Sequence, residues 1–284
     1  MVALVRRSVL WFAVLAAAVF VGGCGTVASL RNAPADARSA ASATVPGIPA
    51  ARFFGDEVPA DIAAGVKRVM PNLGRANNAR RNAEGRPLVD YLALSGGGGD
   101  GAFGAGLLAG WSKHGGRPTF DVVTGVSAGA IIAPFAYLGP TYDDAMREIW
   151  TEYKTSEIIT SQIFTGILGG QSLADTAPLA ALIAKYVDQR MLRAIAAEYR
   201  KGRVLLIGTT NLDAQRPMIW NIGEIAVSRD PGALDLVRKV ILASAAIPGA
   251  FPPVNIPVQT ERGPAEEMHV DGGVTREGFI TPAQ

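Results

Sequence analysis

The chain has 284 residues, 49% of them hydrophobic and only 7% aromatic, enough to bury a sizeable and mainly aliphatic core. Once Arg6 and Arg7 of the first segment are set aside, the 27 basic residues fall to 25 and balance the 25 acidic ones. There is no basic stripe or run, which excludes nucleic acid as an expected partner; the stretch from Arg75 to Arg86 is interleaved with Asn and Ala and reads as a solvated loop.

The N-terminus reads as a targeting segment. A positive Arg6-Arg7 is followed by the apolar run Val9 to Val21, short for a membrane span, and then by Val21-Gly-Gly-Cys24. Small residues before a cysteine at the end of such a run resemble the lipobox of bacterial lipoproteins. The resemblance implies a lipidated Cys24 as mature N-terminus, held on a membrane by more than one acyl chain. Gly25 rather than Asp after the cysteine implies an outer-membrane destination in the envelope of a double-membraned bacterium. Cys24 is the only cysteine, so no internal disulfide can form. Residues 1–23 are therefore expected to be a signal peptide. Residues 24–87 are expected to be a tether and extension, rich in Ala, Ser and Pro from 25 to 50, with short helices around Ile62 to Met70. The folded domain is expected over 88–284.

Within that domain the pattern predicts a strand over Leu88 to Leu94 and a helix over Ala102 to Trp111. A strand over Phe120 to Thr124 and a helix over Ala128 to Leu138 follow. Tyr142 to Lys154 is amphipathic, and Leu179 to Tyr186 and Met191 to Lys201 are helical. Arg203 to Thr210 is a buried strand with Met218 to Asn221 as a neighbour. Leu234 to Ala246 is a helix ended by Pro248, and Met268 to Val270 is a short strand. Alternating strands and helices predict an α/β fold with a mainly parallel central sheet and helices on both faces. In such sheets sites form beyond the carboxyl ends of strands. Three motifs follow predicted strands there: Gly96 to Gly101, Gly125 to Gly129 and Asp271 to Gly273.

Gly125-Val-Ser-Ala-Gly129 has the form Gly-x-Ser-x-Gly between a strand and a helix, a sharp turn that thrusts the Ser127 hydroxyl outward as a candidate nucleophile. Ser95-Gly-Gly-Gly-Gly-Asp-Gly101 can turn backbone N–H groups inward around an anion, ahead of a helix N-terminus. That suits the oxyanion of acyl transfer. Gly96, Gly98 and Gly101 equally match a dinucleotide fingerprint, with Asp121 at about the right distance but at a strand's start. No Gly-Lys-Ser/Thr follows, so a P-loop is excluded. A serine needs a base. His114 sits at a helix end and His269 two residues before Asp271, and no histidine follows Asp271 to complete the Ser, acid, His order. Asp271 is the remaining base, although Asp-Gly-Gly is also an ordinary turn. No cluster has metal-ligand spacing, and neither metal nor cofactor is expected.

Taken together and in this order, Gly96-Gly-Gly-Gly-Asp-Gly101, Gly125-Val-Ser-Ala-Gly129 and Asp271-Gly-Gly273 resemble the patatin-like phospholipases. Ser244-Ala-Ala-Ile-Pro-Gly-Ala-Phe-Pro-Pro253 looks like that family's segment before the last motif. The resemblance covers Leu88 to Gly273. It implies a patatin-like acyl hydrolase of lipid or other acyl esters, with a Ser-Asp dyad and no catalytic histidine. Ser127 corresponds to the nucleophile, Asp271 to the dyad aspartate, and Gly96, Gly97, Gly98 and Gly101 to the oxyanion loop. Two features depart from the pattern. Asp100 stands where the family often has Arg or Lys, and only 13 residues follow Asp271, where family domains continue, which predicts a chain cut short. The alternatives are a nucleotide-binding oxidoreductase using the glycine loop, and a catalytically inactive envelope lipoprotein of the same fold.

Overall fold

The computed structural model describes residues 37–57, 82–85, 88–152 and 175–280. In chain order the elements begin with α1 (Ala37–Ser42), β1 (Arg52–Phe54), β2 (Tyr91–Leu94), α2 (Gly101–His114), β3 (Val122–Val126) and α3 (Ala128–Leu138). They continue with α4 (Asp143–Glu152), α5 (Ala177–Tyr186), α6 (Gln189–Arg200), β4 (Val204–Asn211) and β5 (Arg216–Asn221). The last are α7 (Ile222–Val227), α8 (Ala233–Ser244), β6 (Val254–Thr260) and β7 (Gly263–Asp271).

The sheet order is β1-β5-β4-β3-β2. Its centre, β2-β3-β4, is parallel, as the helices between those strands require. Antiparallel strands extend it. β5 and β1 continue the sheet past β4, and the hairpin β6-β7 joins β4 through three residues at its end. The central strands are near-continuous apolar runs because they are covered on both faces: every residue of β3 is buried, and so is β4 from Leu205 on. β6 alternates buried and open positions along the rim.

On one face, Leu205 and Ile207 of β4 and Val123 of β3 join a large aliphatic cluster with Ala133 of α3, Ile195 of α6, Ile222 of α7 and Val237 of α8. Helix α3 is buried over nearly its whole length, which makes it the central helix. α6 is half-buried and opens on a proper cap, the Asp188 carboxylate accepting the Met191 N–H at 2.7 Å. On the other face, Val126, Leu206 and Ile219 pack against Phe279. Among the described residues that face is covered by the stretch after β7.

The predicted strands and helices recur with ends shifted by a few residues. Four elements had no counterpart in the sequence reading: α1, β1, α7 and β6. Residues 37–57, read as tether and extension, in fact enter the fold. β1 pairs with β5, Thr44 exchanges backbone hydrogen bonds with Gln259, and Arg52 pairs with Glu267. A three-residue strand is set by its partner rather than by its own pattern. β6 was hidden by Pro257, which is tolerated because β6 lies at the sheet rim. Cys24 and the helices expected around Ile62 to Met70 lie outside the described residues.

Candidate active site

The site is built on one edge of β4. β3 runs parallel along that edge until Val126, opposite Gly208. β7 runs antiparallel along the same edge and ends at Asp271, opposite Thr209, the very next residue. The other edge is taken by β5. The two strands meet nearly end to end, and the residues at their tips, Ser127 and Asp271, come together.

Ser127 has φ 55° and ψ −124°, a conformation that non-glycine residues rarely adopt and that the surroundings must enforce. The flanking glycines are a steric requirement. A Cβ on Gly125 would lie 2.5 Å from Gly129 O, and one on Gly129 would lie 2.7 Å from Ser95 O. A third residue locks the turn: the Ser127 N–H donates to Ser244 Oγ at 3.0 Å, and that hydroxyl donates to Gly208 O at 2.6 Å. Ser127 stands at the N-terminus of α3, where the helix dipole favours negative charge. Its side chain sits in a dry setting, 6% exposed.

Asp271 is 5% exposed. Its N–H donates to Ala246 O at 2.9 Å, and its Oδ1 accepts the Gly273 N–H at 2.7 Å. Oδ2 is buried with no partner of good hydrogen-bond geometry among the described residues. Burial pushes the Asp271 carboxyl above the ordinary carboxylate range, and the nearby Ser127 hydroxyl and the Gly273 N–H work against that rise. Gly272 must lack a side chain, since a Cβ would meet Gly208 O at 2.5 Å.

The glycine loop lies beside the serine: a Cβ on Gly96 would be 3.1 Å from Ser127 Cβ. The four glycines read from the sequence as one set have different tasks. The Gly96 N–H donates to Glu277 O at 3.1 Å, and the Gly101 N–H to the carbonyls of Gly98 and Gly99. Gly101 also makes room for the Trp150 ring. Gly97 and Gly98, at φ 152° and 54°, have N–H groups with no hydrogen bond among the described residues. Asp100 is exposed and makes no capping bond, so its charge faces solvent.

The two histidines stand apart from this chemistry. His114 is exposed in the last turn of α2. His269 is fully buried with both ring nitrogens engaged, and burial lowers its pKa. Asp121 is buried at the opposite end of β3 from the glycine loop, its carboxylate accepting the Asp90 N–H at 2.9 Å, so it cannot reach a ribose at that loop. The sequence reading assigned no role to Ser244. Its only signal was its position at the head of the segment running to Pro253. Among the described residues no three His, Cys, Asp or Glu side chains are grouped to hold a metal, and no helix is long and apolar enough to cross a membrane.

No curated protein matches the chain. A solved structure of VipD from Legionella pneumophila is similar over 70% of this chain, at 16% identity and a TM-score of 0.42; the chain spans about half of that structure, 49%. The family model described as patatin-like phospholipase matches residues 92–283, a stretch that takes in the glycine loop, the serine turn and Asp271. The chain belongs to the patatin-like phospholipase family.

Proposed function

We propose that the protein is a serine acyl hydrolase that cleaves ester bonds of lipids, phospholipids among them, with Ser127 as nucleophile and Asp271 as its base. The observation that carries this reading is the end-to-end meeting of β3 and β7 on β4, with Ser127 at one tip and Asp271 at the other. Ser127 Oγ attacks the acyl carbonyl as its proton passes to Asp271 Oδ2. The negative charge that develops on the carbonyl oxygen is met by the N–H groups of Gly97 and Gly98 and by the start of α3; one such donor is worth about 2.7–4 kcal/mol of barrier. Collapse expels the alcohol, which takes the proton from Asp271. Water then attacks the acyl-serine while Asp271 accepts its proton, and the fatty acid leaves as that proton returns to Ser127.

A lipid substrate is supported by the apolar side chains left open around the site. Phe103 follows the glycine loop by two residues and is 77% exposed. Val274 lies three residues past Asp271, and Ile247 adjoins Ala246, whose carbonyl receives the Asp271 N–H. A lipidated Cys24 would hold the enzyme at the envelope, on the outer membrane, beside such a substrate.

The test is labelling with a fluorophosphonate and hydrolysis of a p-nitrophenyl acyl ester. Wild type should react in both assays, and Ser127→Ala in neither. If Ser127→Ala is labelled and turns over as well as wild type, the assignment of the nucleophile is wrong.

A further inference from the structure

Beneath the site runs a buried polar chain across four strands. Trp220 Nε1 on β5 donates to Thr209 Oγ1 on β4 at 2.8 Å. Thr209 Oγ1 is 3.0 Å from His269 Nδ1 on β7. His269 Nε2 is 3.3 Å from Glu267 Oε2, and Glu267 also takes both terminal nitrogens of Arg52 on β1. The bond directions follow from Glu267. Its carboxyl, paired with Arg52 and lowered to about 2, is ionised and can only accept, so the ring proton sits on Nε2. Full burial lowers the His269 pKa and keeps the imidazole neutral, which leaves Nδ1 as an acceptor. The Thr209 hydroxyl therefore donates to Nδ1 while its oxygen accepts the Trp220 N–H. The imidazole edge also packs against the Trp220 ring, 5.3 Å between centroids, and the Arg52 guanidinium lies 5.7 Å from that ring.

We propose that this chain is the device that positions Asp271, with Thr209 and His269 as positioning residues for the dyad. The proposal rests on the reading of Asp271 as the base. Its ground is the ladder itself. β7 is paired along seven positions with β6, a rim strand, but along only three with the central strand β4. Asp271 is the last of those three and lies opposite Thr209. A slip of one residue would turn His269 and Asp271 to the other face and carry the carboxylate away from Ser127. Glu267 holds the His269 ring from the same strand, and the ring so held meets Thr209 on β4 in one register only. Its side chain therefore fixes a short ladder that backbone bonds alone hold weakly. His269 acts through Asp271 and touches no reacting atom.

The experiment uses the full chain with Thr209→Val, which keeps the shape and removes the hydroxyl, Thr209→Ser, which restores it, and Ile195→Ala, a core truncation on α6. Thr209→Val should lower kcat and the rate of fluorophosphonate labelling at Ser127 at least tenfold with KM within twofold, and Thr209→Ser should recover most of that loss. Ile195→Ala should lower Tm at least as far while keeping kcat within threefold. Hydrogen exchange of the β7 amides should quicken in Thr209→Val and not in Thr209→Ser, and this readout stands whether or not the protein hydrolyses esters. An inactive wild type would thus sink the reading of the site without touching the positioning claim. The positioning claim is overturned if Thr209→Val labels at the wild-type rate, if Thr209→Ser does not rescue, or if β7 exchange is unchanged.

Discussion

Asp271 is held in a setting that suits a base and does not suit an ionised carboxylate. Burial raises its pKa, so the folded protein binds that proton more tightly than the unfolded chain does. Ionising it therefore costs stability, and the loss grows as pH rises from the unfolded value, near 3.8, through the raised folded value. Asp271→Asn removes that loss and keeps an oxygen for the Gly273 N–H. The variant should melt above wild type at neutral pH, with the gap closing in acid, while hydrolysis falls by about 10²–10⁴-fold. Wild-type kcat/KM should show an acid limb above the ordinary carboxylate range. Calorimetry across pH beside an activity profile checks both, and a variant that melts below wild type at neutral pH refutes the account. At this scale the sequence was informative where chemistry repeats as a motif, as at Ser127 and Asp271. It was silent on Ser244 and on the partners of His269, because those roles depend on which side chains the fold brings opposite one another.

Elements matter to the site through their ends. β3 ends at the serine turn, β7 at Asp271, and α8 at Ser244, whose hydroxyl bridges the Ser127 N–H and Gly208 O. The end of a helix on one face of the sheet thus clamps a strained turn at the tip of a strand. Ser244→Ala should leave both buried backbone groups unpaired, at a cost of about 1–3 kcal/mol read as a lower denaturation midpoint. The freed turn should also slow labelling of Ser127; an unchanged labelling rate would mean the glycines alone hold the serine. Elements carrying a strong pattern of their own were legible in advance, α3 above all, since an unbroken run of small and apolar residues can only be a buried helix here. Those defined by a neighbour were not. β1 is three residues long, and β6 carries a proline that argues against a strand until its rim position is known.

At the scale of the whole molecule, the stretch after Asp271 ties the parts of the site together. It turns through Gly272–Val274 and then runs back over the face of the parallel strands. Glu277 O receives the Gly96 N–H, Phe279 O receives the Thr124 hydroxyl at 2.6 Å, and the Tyr91 hydroxyl donates to Ile280 O. The Phe279 ring closes the face opposite the helices, against Val126, Leu206 and Ile219. One short segment therefore links the Asp271 turn, the glycine loop and the strand that carries Ser127. Phe279→Ala should open a cavity under β4 and cost about 3–5 kcal/mol. Thr124→Val removes only the hydrogen bond and should cost about 1 kcal/mol. If the segment also anchors the glycine loop, Phe279→Ala should slow fluorophosphonate labelling of Ser127 more than Thr124→Val does, measured well below both melting temperatures. Equal labelling rates with unequal stabilities would make the segment a cover for the sheet and nothing more, because the Gly96 contact would then persist without the ring that holds the strand down.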